Sequence, residues 1–250
     1  PHTVNAEDLK LISALSEQYD LPVSMHVAET EKEFLEFEDK YGLTPIEYLD
    51  SIGMLNERFI AAHAIFVTDS DIALMKERDI GVSHNMVANI KSAKGLSPAL
   101  QMHDLGLRVG LGTDGPMSGN TLDIIGQMGY VAKLHKLDNN DRTVMPPIKV
   151  VEMATIGGAR AIHRENELGS IETGKLADVV VVEVQSANMV PIYNPYSALV
   201  YSANASNVAT VIVNGKVIVK NKVLQTYDET KSRQMMIEFS DRVRAISKTL

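Results

Sequence analysis

The chain has no cysteine, which excludes disulfides and thiolate metal sites and fits a reducing, cytoplasmic setting. Nor does it gather its positive charge anywhere. Its 24 Lys and Arg are outnumbered by 32 Asp and Glu, and the net charge of −8 argues against a nucleic-acid partner, which would need a basic patch. No apolar run approaches the ~20 residues of a membrane span, so no membrane role is expected. Aromatic residues make up only 5% of the chain, leaving Met, Leu, Ile, Val and Ala to fill the interior. There is no low-complexity linker and no glycine-rich turn after the first apolar run. The opening "PHTVNAEDL" lacks a methionine, and the natural start is expected upstream.

What is present is a repeating unit. At 45% apolar over 250 residues, the chain can bury one large domain or a domain with an appendage. From residue 5 to about 136, short apolar runs alternate with capped amphipathic helices. Asn5 is placed to cap a helix carrying Leu9, Ile12 and Leu15 on one face. Thr30 and Glu33 have capping-box spacing ahead of Phe34 and Phe37, and Gly42 is a stop. Thr44, Pro45 and Glu47 repeat the device. "VSMHVA", "RFIAAHAIFV", "GVSHN" and "RVGLGTDG" read as the intervening strands. Strand and helix alternating at this pitch predict a parallel sheet with right-handed crossovers.

Such a sheet can be doubly wound or closed into a (β/α)8 barrel, and the polar residues choose. His26, His63, His84 and Asp114 fall at or near the C-terminal ends of successive strands, 37, 21 and 30 residues apart. Chemistry-bearing groups delivered one per strand to one rim are the arrangement of a TIM barrel. Imidazole and carboxylate suit a borderline divalent metal. Glu29, three residues after His26, can reach a water activated by that metal, and His63 can bond the attacking water or a developing oxyanion. Each of these residues alone reads as an ordinary strand-end or turn residue; convergence on one rim makes them a site.

After about residue 145 the pattern changes. "PIKVVEMATIGGARAIH" predicts a helix with two glycines allowing close packing. A valine strand near 179–184 and a hairpin turning at Asn214-Gly215 predict a small β module. Met235, Met236, Phe239, Val243 and Ile246 recur at helical spacing and predict a packing helix. The boundaries read as 1–165 for the barrel portion, 166–225 for the β module and 226–250 for the helix. Two counts fall short: four barrel strands where closure needs eight, and two evident metal ligands, His26 and Asp114, where a catalytic zinc normally has three. Both place the missing half before residue 1.

At "MHVAET", "AAHAIF", "VSHNMVANIKSAKG", "GLGTDGPMSGN" and "GKLADVVVVE" the sequence resembles the amidohydrolase superfamily. Within it, the likeness is to the branch of 5-methylthioadenosine/S-adenosylhomocysteine deaminases and triazine hydrolases. The resemblance implies an α/β fold: the C-terminal half of a metal-dependent (β/α)8 barrel, part of a small β-sandwich and a terminal helix. It implies one divalent metal, zinc first with iron or manganese compatible, held by His26 and Asp114. Glu29 would shuttle a proton, His63 would polarise the attacking water, and Asp114 would be both ligand and proton acceptor. His2, Glu29, His84, Asn85 and Asn89 match positions bordering the substrate. The family's His-x-His pair on the first strand is absent. The implied reaction is hydrolytic deamination of an amino-substituted purine by the complete protein, with a triazine-type hydrolase or guanine deaminase as near alternatives. Residues 1–250 alone are expected to be inactive and prone to form homo-oligomers. A metal-free scaffold barrel is the contrasting reading, against which the retained His26, Glu29, His63 and Asp114 stand.

Overall fold

Capping side chains set the helix starts, as their spacing foretold. In the computed structural model, which describes residue 1 and residues 3–247, Asn5 Oδ1 accepts the Asp8 N–H at 2.9 Å and opens α1 (Ala6–Tyr19). After β1 (Val23–Val27), Thr30 Oγ1 accepts the Glu33 N–H at 3.1 Å and opens α2 (Glu31–Tyr41). The reciprocal half of that capping box does not form. The Glu33 carboxylate turns back to take the N–H groups of Ala28 (3.1 Å) and Glu29 (2.9 Å), two donors left over where β1 ends. Thr44 and Glu47 do complete a box at α3 (Pro45–Ser51). Thr68 and Asp71 complete another at α4 (Asp69–Glu77), which follows β2 (Phe59–His63). Each such cap contributes about 1 kcal/mol.

β3 (Gly81–His84), α5 (Met86–Lys91), α6 (Ala99–Asp104) and β4 (Arg108–Leu111) complete a parallel sheet in the order β1-β2-β3-β4. The fold is an α/β arrangement built on this parallel sheet, and the strands sit where they were expected. Alternation gives the sheet two faces. Phe59, Ala61, Val82 and Val109 are buried in the main core with Leu9, Phe37, Leu49, Ile72, Met75 and Met102 from the helices. His26, Ala62, Ser83 and Gly110 occupy one register row on the other face, which carries the polar groups.

Beyond β4 come α7 (Pro116–Gly119), α8 (Ile124–Asp138), α9 (Pro147–Ala154) and α10 (Ile156–Ala161). The single helix expected here is two, broken at Thr155 (φ −127°, ψ −99°), whose hydroxyl bonds the Val151 carbonyl at 2.7 Å. The two glycines of this segment do allow close approach, since a Cβ on Gly157 would stand 2.8 Å from the Val109 carbonyl oxygen, and glycines on the strands add to it. A Cβ on Gly110 would stand 2.7 Å from Gly158 Cα, and one on Gly81 would stand 1.9 Å from the Ala161 carbonyl oxygen, so α10 lies directly on β3 and β4.

The second sheet is antiparallel, with β5 (Val179–Val182) followed by α11 (Pro195–Tyr201), then β6 (Val208–Val213), β7 (Lys216–Lys220) and β8 (Val223–Leu224). Asn214 and Gly215, at φ 47° and 75°, make the β6–β7 turn with both central residues left-handed. α12 (Glu229–Ser247) forms as expected, but Met235, Met236, Phe239 and Val243 stay largely exposed among the described residues. No described helix is long and apolar enough to cross a membrane.

Candidate active site

The polar rim begins where β1 and β2 end. The ladder sets Val27 beside His63, with the Ala64 N–H on the Val27 carbonyl, and the chain then leaves each strand through left-handed backbone at Ala28 (φ 51°), His63 (φ 75°) and Ala64 (φ 44°). Asp114, just past β4, is left-handed as well (φ 58°). Non-glycine residues in this region cost on the order of 1–3 kcal/mol each and concentrate where function fixes the backbone. The surroundings hold them: Glu33 clamps the amides of Ala28 and Glu29, and the Ser97 hydroxyl bonds the Ala64 carbonyl at 2.8 Å.

These exits bring four side chains together. His63 Nε2 lies 3.3 Å from Glu29 Oε1 and 3.8 Å from Asp114 Oδ2, and His26 Nε2 lies 3.7 Å from Asp114 Oδ1. The two imidazoles stack with centroids 5.1 Å apart. His26, on the open face, is 63% exposed, whereas His63 is fully buried. One donor atom each from His26, His63 and Asp114 falls within 4.8 Å of the others. Burial works to raise the Asp114 carboxyl. The Gly115 N–H at 2.7 Å, the Ser118 hydroxyl and the two imidazoles outweigh it and hold the group below the usual carboxylate value.

Two further contacts hold His63 and Glu29 in place. His63 Nδ1 is 2.7 Å from Asn89 Oδ1, and His63 Nε2 is buried without a hydrogen-bond partner. Glu29 Oε1 is also paired with the Lys94 ammonium. The adjoining hollow of about 270 Å³ is lined by Ser24, His26, Ser83, Asn85 and Asp114. A larger cleft of about 1110 Å³, between α8–α10 and the second sheet, is walled mainly by Leu, Ile and Val. It shares no residue with the polar cluster, which borders the smaller hollow instead.

Residues 1–218 match the profile of the amidohydrolase family. The chain belongs to that family. It is 38% identical to a 5-methylthioadenosine/S-adenosylhomocysteine deaminase of Thermoanaerobacter pseudethanolicus, over 92% of this chain and 54% of that protein. It is 40% identical to a 5′-deoxyadenosine deaminase of Methanothermobacter thermautotrophicus, over 92% of this chain and 53% of that protein. The crystal structure of an adenosine deaminase from Xanthomonas campestris with bound zinc superposes with a TM-score of 0.93 at 33% identity, covering 97% of this chain and 55% of that one. The chain thus spans about half the length of the relatives it matches.

Within this amidohydrolase, the structure brings His26, Glu29, His63 and Asp114 into one cluster. Asn89 joins it through His63, and Asn85 lines the hollow, where Ser83 Oγ donates to Asn85 Oδ1 at 2.9 Å. Gly112 leaves room for that pair, since a Cβ there would stand 2.2 Å from both oxygens. His84 is not among the residues that line the hollow. It is fully buried with its Nε2 3.3 Å from His135 Nε2 on α8, and burial lowers the two pKa values to about 3 and about 4. His2 lies outside the described residues. Sequence reasoning missed Lys94, His135 and the clamping role of Glu33. Only Glu33 left a signal, its place three residues after the Thr30 cap.

Proposed function

We propose that the intact protein is a metal-dependent deaminase that hydrolyses the amino group from the adenine ring of a 5′-modified adenosine. The observation that carries this reading is the convergence of His26, Glu29, His63 and Asp114 around a buried, unpartnered imidazole nitrogen. The substrate class follows the relatives, named as deaminases of 5-methylthioadenosine/S-adenosylhomocysteine and of 5′-deoxyadenosine.

A divalent metal fits the donors present. Two imidazoles and a carboxylate are the mixed nitrogen and oxygen set that zinc accepts, and the bare His63 Nε2 turned toward two carboxylates is disfavoured without positive charge or a water proton between them. His26 and Asp114 would hold the ion. When bound, such a cation acts as a Lewis acid and makes water acidic enough to serve as a nucleophile near neutral pH.

The side chains divide the remaining work. The attacking water donates a hydrogen bond to His63 Nε2, which orients it. As its oxygen bonds the ring carbon bearing the amino group, Glu29 takes one water proton and delivers it to the adjacent ring nitrogen. Asp114, held ionised, takes the second proton and passes it to the departing amine. The carbon–nitrogen bond then breaks, ammonia leaves and the ring carbon becomes a carbonyl. Lys94 holds Glu29 beside the reacting atoms.

Further ligands and strands complete this site in our reading. Four strands in an open sheet supply half of an eight-stranded barrel, and residues 1–165, 166–225 and 226–250 serve as barrel half, β module and terminal helix. The exposed valines of β5 and the apolar side of α12 are the surfaces through which the protein would associate with itself or with the remainder of its fold. A cytoplasmic location accords with the cysteine-free composition.

The test is ammonia release by the intact protein from 5′-methylthioadenosine, S-adenosylhomocysteine and 5′-deoxyadenosine. Turnover that is lost on chelation and restored by zinc is expected. A metal-loaded protein that releases ammonia from none of the three would refute the reading.

A further inference from the structure

We propose that Asn89 is a positioning residue whose side-chain carbonyl selects the tautomer of His63, turning a bare Nε2 toward the reaction centre. The proposal rests on the deaminase reading for its effect on turnover, though not for the tautomer itself.

The geometry leaves little freedom. Both side chains are completely buried, and Asn89 Oδ1 lies 2.7 Å from His63 Nδ1. A carbonyl oxygen only accepts, so Nδ1 carries the proton and the lone pair of the neutral ring falls on Nε2. That nitrogen faces Glu29 at 3.3 Å and Asp114 at 3.8 Å. In this tautomer His63 can accept a hydrogen bond from water or a coordinate bond to a cation, but it cannot donate. The opposite tautomer would aim an N–H at the same point and repel a cation there.

Asn89 is itself pinned. It lies on α5, where its N–H bonds the Asn85 carbonyl at 3.0 Å, and the Val87 N–H is held from α8 by Gln127 Oε1 at 3.1 Å. Its other amide atom, Nδ2, is buried without a partner. An unsatisfied buried donor is destabilising, and a leucine, which has the same branched skeleton, would carry no such donor. Packing alone therefore does not account for an asparagine here. Orienting His63 does.

The primary test needs no variant. In the intact, metal-free protein labelled with 15N-histidine, the ring nitrogens of His63 are read by NMR, with His63→Asn providing the assignment. A protonated Nδ1 and an unprotonated Nε2 are expected; a proton on Nε2 overturns the proposal whatever the activity. Two substitutions then separate positioning from packing. Asn89→Asp keeps an acceptor and should retain the tautomer and turnover within about tenfold. Asn89→Leu removes it and should scramble the tautomer, with turnover falling about 10–100-fold, as for groups that orient active-site histidines. Equal tautomer populations in the two folded variants would overturn the proposal. If the protein releases no ammonia at all, the deaminase reading fails while the NMR result still decides the role of Asn89.

Discussion

Acidification from pH 7 to pH 5 should cost the fold about 4 kcal/mol through one buried pair, His84 and His135. The rings meet at 3.3 Å, and both are almost completely excluded from solvent. Burial is the main cause that lowers their pKa values to about 3 and about 4, with the mutual proximity of the rings adding to the shift of His84. In the unfolded chain both titrate near the ordinary value of about 6.5. The folded values lie below the unfolded one, so the stability is fully present above pH 6.5 and drains as the pH falls toward the folded values. At pH 5 the unfolded chain holds nearly two protons on these rings that the folded chain refuses, about 1.5 of them taken up between pH 7 and 5. Linkage converts this to about 2 kcal/mol per histidine. Against a typical domain stability of about 5–15 kcal/mol, that is a large fraction. Urea unfolding of the intact protein at pH 7, 6 and 5 reads it directly, in a window above the titration of ordinary carboxylates. The double variant His84→Leu/His135→Phe should lose most of the pH dependence. Wild-type stability that is flat within about 1 kcal/mol, or a double variant with an undiminished slope, would refute the reasoning.

Three further outcomes are expected. Glu29→Gln should keep the metal and lower turnover by about 10²–10⁴-fold, the range of general acid–base contributions; loss of metal would make Glu29 a ligand instead. Asp114→Asn should weaken metal binding and abolish turnover together, because in the proposed site one carboxylate would both hold the ion and carry a proton, and an active, metal-loaded variant would show the two roles to be misassigned. Gly81→Ala should destabilise the fold by roughly 1–3 kcal/mol or more in urea unfolding, since its methyl would meet the Ala161 carbonyl at 1.9 Å and backbone must move to admit it.

What could be read ahead of the structure was whatever is encoded locally. Asn5, Thr44 and Thr68 cap helices through side chains that reach three residues along the chain, and the Asn214-Gly215 turn is a property of two residues. His26, Glu29 and Asp114 stood out because each follows or ends an apolar run, and a parallel sheet carries all its strand ends to one rim. The contacts that escaped are made between elements. Lys94 meets Glu29 across 65 residues, and His135 reaches His84 across 51, from a helix face that periodicity marks only as apolar. His84 shows the limit most plainly. Its position at a strand end matches that of His26, but alternation along β3 puts it in the row of Val82, turned to α8, while Ser83 takes the open face. Glu33 was legible as a capping residue, and its carboxylate went instead to the two amides that β1 leaves unpaired. The exposure of α12 depends on what lies against it, which its own heptad of apolar residues does not specify.

The most direct test is to measure bound metal and ammonia release together, on the intact protein and on residues 1–250 alone, with 5′-methylthioadenosine as substrate. The account predicts about one divalent ion per chain and metal-dependent deamination in the intact protein, with neither in the 250-residue polypeptide, whose open four-stranded sheet is, in the proposed account, half of the barrel that completes the site. A metal-loaded, catalytically active monomer of residues 1–250 would contradict it.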